Sequence, residues 1–478
     1  MWEQVASGTG GAGDATNSQR VDVMTSVAES IALVLAPTEA KAAAAIQPNY
    51  VRRDRFIPVS RKALMQALAA PELWPGFDPA EVRTCFRYLA HWRHLAYADL
   101  GQELTETYLP FNPDRDIAET AIAPGSSDDR HKLAFIEAVR QMLERANYDE
   151  IPRQRLQAVL DEENPYGLEL DVNLAEFEDI VIFVRGESTE QVEPDFLNRI
   201  RGKKAITLDV FQRVFLLIKL KPIETRVKEI VVAERVSEAK ARRQALKLRK
   251  MLPPDVDDQH IFVKMFKEML RPDLEIIFPN TRIKLGSRDK MTIGASAGGG
   301  IGMGVISTVT KIVAATLSPI GAALAILGLA GAASQQVAQV VHKRARYMLK
   351  VTRNLYFQNI SNNQGALALL TERAEEEDIK EELLLYALLA KTSVQHQELG
   401  EAKAAIEQFL ADEFKVEVEF DTEDALSRLL ATGVVVEHAD GMLVAMSPKT
   451  AATHIDEMWD VYLDKIGERE EQLEHPAR

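Results

Sequence analysis

His91 and His94 are the first side chains in this sequence with the types and spacing to do chemistry. On a helix they share a face, with Asp99 and Glu103 a little further along, which is the donor set of a metal site. Two histidines without a defined third ligand predict ordinary interfacial side chains. The run Glu375-Glu376-Glu377-Asp378, continued by Glu381 and Glu382, has the oxygens to gather hard cations. Glu376 and Lys380 stand four apart, however, and the run leads into the apolar stretch 383–389, so the pattern predicts a solvated helix face. Gly294-Ala295-Ser296-Ala297-Gly298 satisfies the G-x-S-x-G spacing of a hydrolase elbow, and Gly300-Ile301-Gly302-Met303-Gly304 has the glycines of a phosphate loop. Neither is framed by the strand, nor followed by the partners, that such chemistry needs. Cys85, the one cysteine, reads as a buried thiol and excludes an internal disulfide, so a reducing compartment suffices. No catalytic residue, metal or cofactor is assigned, and the reading leans away from an enzyme.

The elements around these residues divide by charge. The chain has 478 residues and a formal charge of −15, which argues against nucleic acid as a partner. The average hides an asymmetry: residues 199–290 carry a strong positive excess and residues 371–470 a strong negative one. Residues 1–48 are Gly-, Ser- and Ala-rich and read as a flexible arm. Ser60 is placed to cap a helix, and helices are predicted over 78–104, 128–146 and 152–161. A period-two pattern over 168–174, a short apolar run at 180–184 and a longer run rich in β-formers at 210–220 then predict strands, with two more at 274–278 and 281–285. Between them 226–251 reads as one helix ending in Arg242, Arg243, Lys247, Arg249 and Lys250.

Residues 291–341 contain a single charge, Lys311, and Ser318-Pro319 divides them. That pattern predicts a two-helix transmembrane hairpin, 295–317 and 319–341. Gly298 and Gly302, Gly300 and Gly304, and Gly328 and Ala332 each stand four apart, spacing that permits close helix packing and a homo-oligomer. Arg242, Arg243, Lys247, Lys311, Lys343 and Arg344 are then candidates for headgroup contact, making the lipid bilayer a partner. The flanking cations put both termini in the cytoplasm of a bacterial inner membrane, or in the matrix if the membrane is the mitochondrial inner one.

The C-terminal part predicts a helix over 398–414, a strand over 416–420, a helix over 422–432, and strands 434–436 and 442–445 about the turn Asp440-Gly441. That order is winged-helix-like. Its would-be recognition helix offers Glu423 and Asp424 against Arg428, which favours an unknown protein partner over nucleic acid.

Asn354-Leu-Tyr-Phe-Gln-Asn359, Asn362-Asn363 and Ala374-Glu-Glu-Glu-Asp-Ile-Lys-Glu-Glu-Leu-Leu-Leu-Tyr386 resemble the family typified by transmembrane protein 143, domain of unknown function 3754. Arg55-Phe56-Ile57-Pro58 and Tyr108-Leu-Pro-Phe-Asn-Pro-Asp114 are similar to its N-terminal motifs. The resemblance implies a membrane protein, mitochondrial in animals, and brings no catalytic residues. The expected architecture is α+β and mainly helical. It comprises an arm (1–48), a helical domain (49–165), a basic α+β domain (166–290), the hairpin (291–341), a juxtamembrane acidic helix (342–395), a winged-helix-like domain (396–466) and a tail (467–478). The expected function is a membrane-anchored, non-enzymatic interaction or scaffold protein. The alternative is a membrane-bound enzyme acting on a lipid or lipid-linked substrate through His91, His94 or the acidic run.

Overall fold

The computed structural model describes residues 54–114, 129–160, 169–192, 206–250, 252–284 and 355–474. In chain order these form α1 (Arg61–Leu68), α2 (Pro79–Tyr108), α3 (Asp129–Arg145), β1 (Asp149–Glu150), α4 (Arg153–Leu160), β2 (Glu169–Asp171), β3 (Phe177–Val192) and β4 (Ile206–Leu220). There follow α5 (Ile223–Glu234), α6 (Glu238–Arg249), β5 (Ile261–Leu270), β6 (Arg282–Lys284), β7 (Asn359–Asn362) and α7 (Asn363–Leu389). The chain continues with β8 (Val394–Gln395), α8 (Leu399–Phe414), α9 (Thr422–Ala431), β9 (Val435–Glu437), β10 (Met442–Ala445) and α10 (Pro448–Glu474). The fold is mixed α+β, divided into two units of non-contiguous segments: Met1–Leu100, Arg145–Asn147 and Thr371–Arg478 in one, Gly101–Glu144 and Tyr148–Leu370 in the other.

The first unit is organised by α7. Its stretch Leu383-Leu-Leu-Tyr-Ala-Leu-Leu389 has no polar side, and every one of these residues is at most 2% exposed. A helix apolar all round must be enclosed all round. Leu64 and Leu68 of α1, Phe86 and Leu89 of α2, Ile406 and Phe409 of α8, Leu426 and Leu429 of α9 and Ile455 of α10 share its core. Ser60 caps α1 as expected, its hydroxyl accepting from the Ala63 amide at 3.3 Å. The strands after α7 form an antiparallel sheet in the order β8-β10-β9, with Leu443 opposite Val394 and Val444 opposite Val436. Gly441, at φ 79°, takes the left-handed position that the Asp-Gly turn requires.

The second unit holds an antiparallel sheet in the order β1-β3-β4-β5-β7. Its spine is the long β3–β4 ladder, running from Phe177 opposite Leu220 to Val192 opposite Ile206. Asn363, at φ 47°, turns the chain from β7 into α7. Its amide side chain accepts from the Val263 N–H at 3.1 Å and donates to Asp114, while the Tyr108 hydroxyl donates to the Ile261 carbonyl at 2.8 Å. Two separate sequence motifs thus meet at one joint on β5.

Several expectations are corrected. The single helix over 226–251 is two, α5 and α6, because Arg235 adopts φ 50° and ends the first. The strand expected over 274–278 falls mostly within a 3₁₀ helix, Arg271–Ile277, whose first turn carries Pro272, where a missing amide costs nothing. The strand over 416–420 reduces to one bridge, Val418 to Asp54. The membrane assignment finds no support among the described residues, where no helix is long and apolar enough to cross a membrane. The three long helices α2, α7 and α10 all carry several charges along their length. The expected hairpin itself, 291–341, lies outside the described residues, as do Gly298, Gly300, Gly302, Gly304, Gly328, Ala332, Lys311, Lys343 and Arg344.

Candidate functional site

The acidic run of α7 is not a solvated face. Glu377, Asp378, Glu381 and Glu382 are 1–3% exposed, and Lys380 is 2% exposed. They enter the core because the leucine run on the same helix draws α7 inside, and each buried charge then needs a partner. Lys380 bonds Glu377 at 2.7 Å, not the expected Glu376, which pairs instead with Arg373 at 2.9 Å. Glu377 accepts the Ile57 N–H at 2.9 Å and Lys380 donates to the Ile57 carbonyl at 2.6 Å. The buried ion pair thereby grips the backbone of the Arg55–Pro58 motif.

One turn on, three carboxylates of α7 converge on Arg428 of α9, which also lies 3.4 Å from the exposed Asp424 of its own helix. Its guanidinium lies 3.2 Å from Asp378, 2.5 Å from Glu381 and 3.1 Å from Glu382. Arg93 reaches Glu382 at 2.6 Å, Asn147 donates to Glu381 at 2.8 Å, and the Tyr97 hydroxyl donates to Asp378 at 2.7 Å. Arg145 adds its charge opposite Asp378 and Tyr97. Burial pushes the Glu381 carboxyl up to about 8, against the pull of Arg428 and Asn147; burial raises Asp378 and Glu382 as well. Burial alone would depress the Arg428 guanidinium, but the three carboxylates together hold it above its usual range. Such a network binds helices to one another. Removing one partner strands a buried charge, at a cost of about 3–5 kcal/mol.

The inward turn of Arg428 has an outward consequence. It is the one cation of α9, whose exposed residues are Glu423, Asp424, Ser427 and Ala431. His396 connects that face to the neighbouring hairpin, its ring nitrogens 3.8 Å from Glu423 and 3.0 Å from Glu437. Asp440 is exposed at the turn, and Val436 of β9 is 47% exposed beside Glu437. The result is an acidic surface on α9 and the hairpin, while Val436, alternating with Glu437 along β9, points to the other face of the strand.

The other sequence candidates do not assemble a reactive centre. His94 bonds Glu375 at 2.9 Å, His91 is exposed, and Asp99 accepts from the Tyr462 hydroxyl at 2.9 Å. Among the described residues no three His, Cys, Asp or Glu side chains are placed to hold a metal ion. Cys85 is buried, as expected, and burial pushes its thiol up to about 12 despite a hydrogen bond with Tyr386. Arg242 pairs with Glu224 at 2.6 Å, while Arg243 and Lys247 stand exposed on α6. Sequence reasoning missed Arg93, Tyr97, Arg145, Asn147 and the inward role of Arg428. The signal that was available is the unbroken leucine run, which encloses whatever stands one turn before it.

Residues 177–365 match the model of a family described as "Protein of unknown function (DUF3754)". The narrower likeness to transmembrane protein 143 has no counterpart in that match. No solved structure matches the chain.

Proposed function

We propose that this chain is a non-enzymatic interaction protein whose C-terminal module, arranged as a winged helix, docks a cation-rich protein surface. The order α7, β8, α8, α9, β9, β10 with the sheet order β8-β10-β9 supports the winged-helix reading, and α9 occupies the place of a recognition helix. The observation that carries the function is Arg428. A recognition helix that reads nucleic acid presents Arg and Lys outward to phosphates and base edges. Here the one cation is consumed by Asp378, Glu381 and Glu382, and Glu423 and Asp424 face outward. The exposed carboxylates of Glu423 and Asp424, with Glu437 beside them through His396, suit a basic protein patch. The enzyme reading is weakened, because Glu377, Asp378, Glu381 and Glu382 are buried in ion pairs and His94 is occupied by Glu375.

The test is a calorimetric titration of the full chain with a Lys- and Arg-rich peptide, comparing the wild type with Glu423→Lys/Asp424→Lys and with Asp456→Lys/Glu457→Lys on α10. Binding is expected to fall by about tenfold in the α9 variant alone, since reversing rim charges costs roughly a kcal/mol or more. Equal loss in both variants would reduce the effect to net charge and sink the proposal.

A further inference from the structure

A second surface, of opposite sign, stands on the α5–α6 pair of the other unit. The two helices hold together through a small cluster of their own, Val227, Ile230, Ala241 and Ala245. Beyond Glu238, α6 carries no acidic residue. Arg243, Lys247 and Lys250 follow at i, i+4 and i+7, all exposed, and form no ion pair among the described residues. Their neighbours behave otherwise: Arg242 is tied to Glu224, and Lys221 and Arg226 both to Glu229. Leu246, 44% exposed, lies within the basic stripe, and Val232 at the end of α5 is 78% exposed. In a chain of net charge −15, three unpaired cations in helical register around a bare leucine are not a solvated average.

The geometry points to this face as a docking site for an acidic amphipathic helix of a partner protein. Carboxylates one and two turns apart on such a helix meet Arg243, Lys247 and Lys250, and an apolar residue between them covers Leu246. The exposed Leu246 and Val232 favour a polypeptide over a phosphate polymer, which gains charge contacts from the stripe and nothing from aliphatic carbon.

The experiment measures anisotropy of a labelled synthetic helix, with glutamates at i, i+4 and i+7 around two leucines, against the full chain in about 100 mM salt. The wild type is expected to bind saturably, Arg243→Glu/Lys247→Glu/Lys250→Glu about tenfold or more weaker, and Leu246→Ser about fivefold weaker. All four positions are exposed, so circular dichroism should be unchanged in both variants. Equal binding by the wild type and the triple variant would overturn the proposal. So would inorganic polyphosphate or phosphatidylserine vesicles binding as tightly as the peptide with Leu246→Ser indifferent, which would leave a plain polyanion surface. A dimer by sedimentation that dissociates in the triple variant would overturn it in favour of a second copy of this chain.

Discussion

Arg428 is held by three carboxylates of a single helix, and its contribution is best measured against them. Arg428→Met should destabilise the first unit by about 3–5 kcal/mol in urea unfolding, because Asp378, Glu381 and Glu382 then share too few cations. The double variant Arg428→Met/Glu381→Gln should recover part of that loss, with coupling of about 1–3 kcal/mol. Additive losses would mean that the two groups do not meet. Titration gives a second handle at the same scale. Glu381 is raised from 4.5 to about 8, so the folded state binds more protons than the unfolded one and stability should fall as pH rises through that window. Lys391 has the opposite sense. Its ammonium sits 4.4 Å above the Trp74 ring with no hydrogen bond among the described residues, and burial lowers it from 10.5 to about 8. The unfolded state then binds more protons between those values, and stability should rise with pH from about 8 to 10.5. In thermal melts Glu381→Gln should flatten the fall in stability between about pH 4.5 and 8, and Lys391→Met should remove a rising contribution above about 8, where the raised Cys85 thiol pulls the other way from about pH 9. A profile unchanged by either substitution contradicts the assignment.

Local rules recover the elements wherever one residue decides them. Ser60 at the start of α1, Asp440-Gly441 between β9 and β10, and the run of β-formers at 210–220 that became the end of β4 were all legible, because a cap, a turn and a β-rich run are each written in adjacent residues. What was not legible depends on enclosure from elsewhere in the chain. The acidic residues of α7 look solvated until the helix is known to be surrounded, and β5, reading Ile-Phe-Val-Lys-Met-Phe-Lys-Glu-Met-Leu, is ambiguous in period until β4 pairs with it. The break between α5 and α6 was hidden because Arg235, not glycine, takes the left-handed position. At the joint of β7 and α7, Asn363 supplies both a left-handed backbone and two hydrogen bonds. Asn363→Ala should therefore cost the second unit about 2–3 kcal/mol, and Asn363→Gly less, since glycine keeps the backbone and loses only the side chain. Equal losses on chemical denaturation would show that the hydrogen bonds alone matter.

At the scale of the whole molecule, both units collect segments far apart in sequence, so their motifs make sense only in pairs. Arg55–Pro58 is gripped by Glu377 and Lys380, and Tyr108–Asp114 meets Asn363 over β5. Ile57, Tyr108, Asp114, Asn363, Glu377 and Lys380, all in stretches that carried the family resemblance, thus serve as internal joints. The charge asymmetry of the sequence persists as two surfaces of opposite sign, acidic on α9 and its hairpin, basic on α6. The central claim is that turning Arg428 inward leaves a winged-helix-like module that engages protein and not nucleic acid. Its most direct test is anisotropy of a labelled DNA duplex titrated with the full chain carrying Arg243→Glu/Lys247→Glu/Lys250→Glu, which removes the basic stripe of α6, at about 50 mM salt, where even sequence-independent binders associate at micromolar concentration. The account predicts no rise in anisotropy up to about 100 μM protein. A saturating rise that disappears as salt approaches about 200 mM would contradict it, by showing phosphates neutralised on a surface read here as acidic.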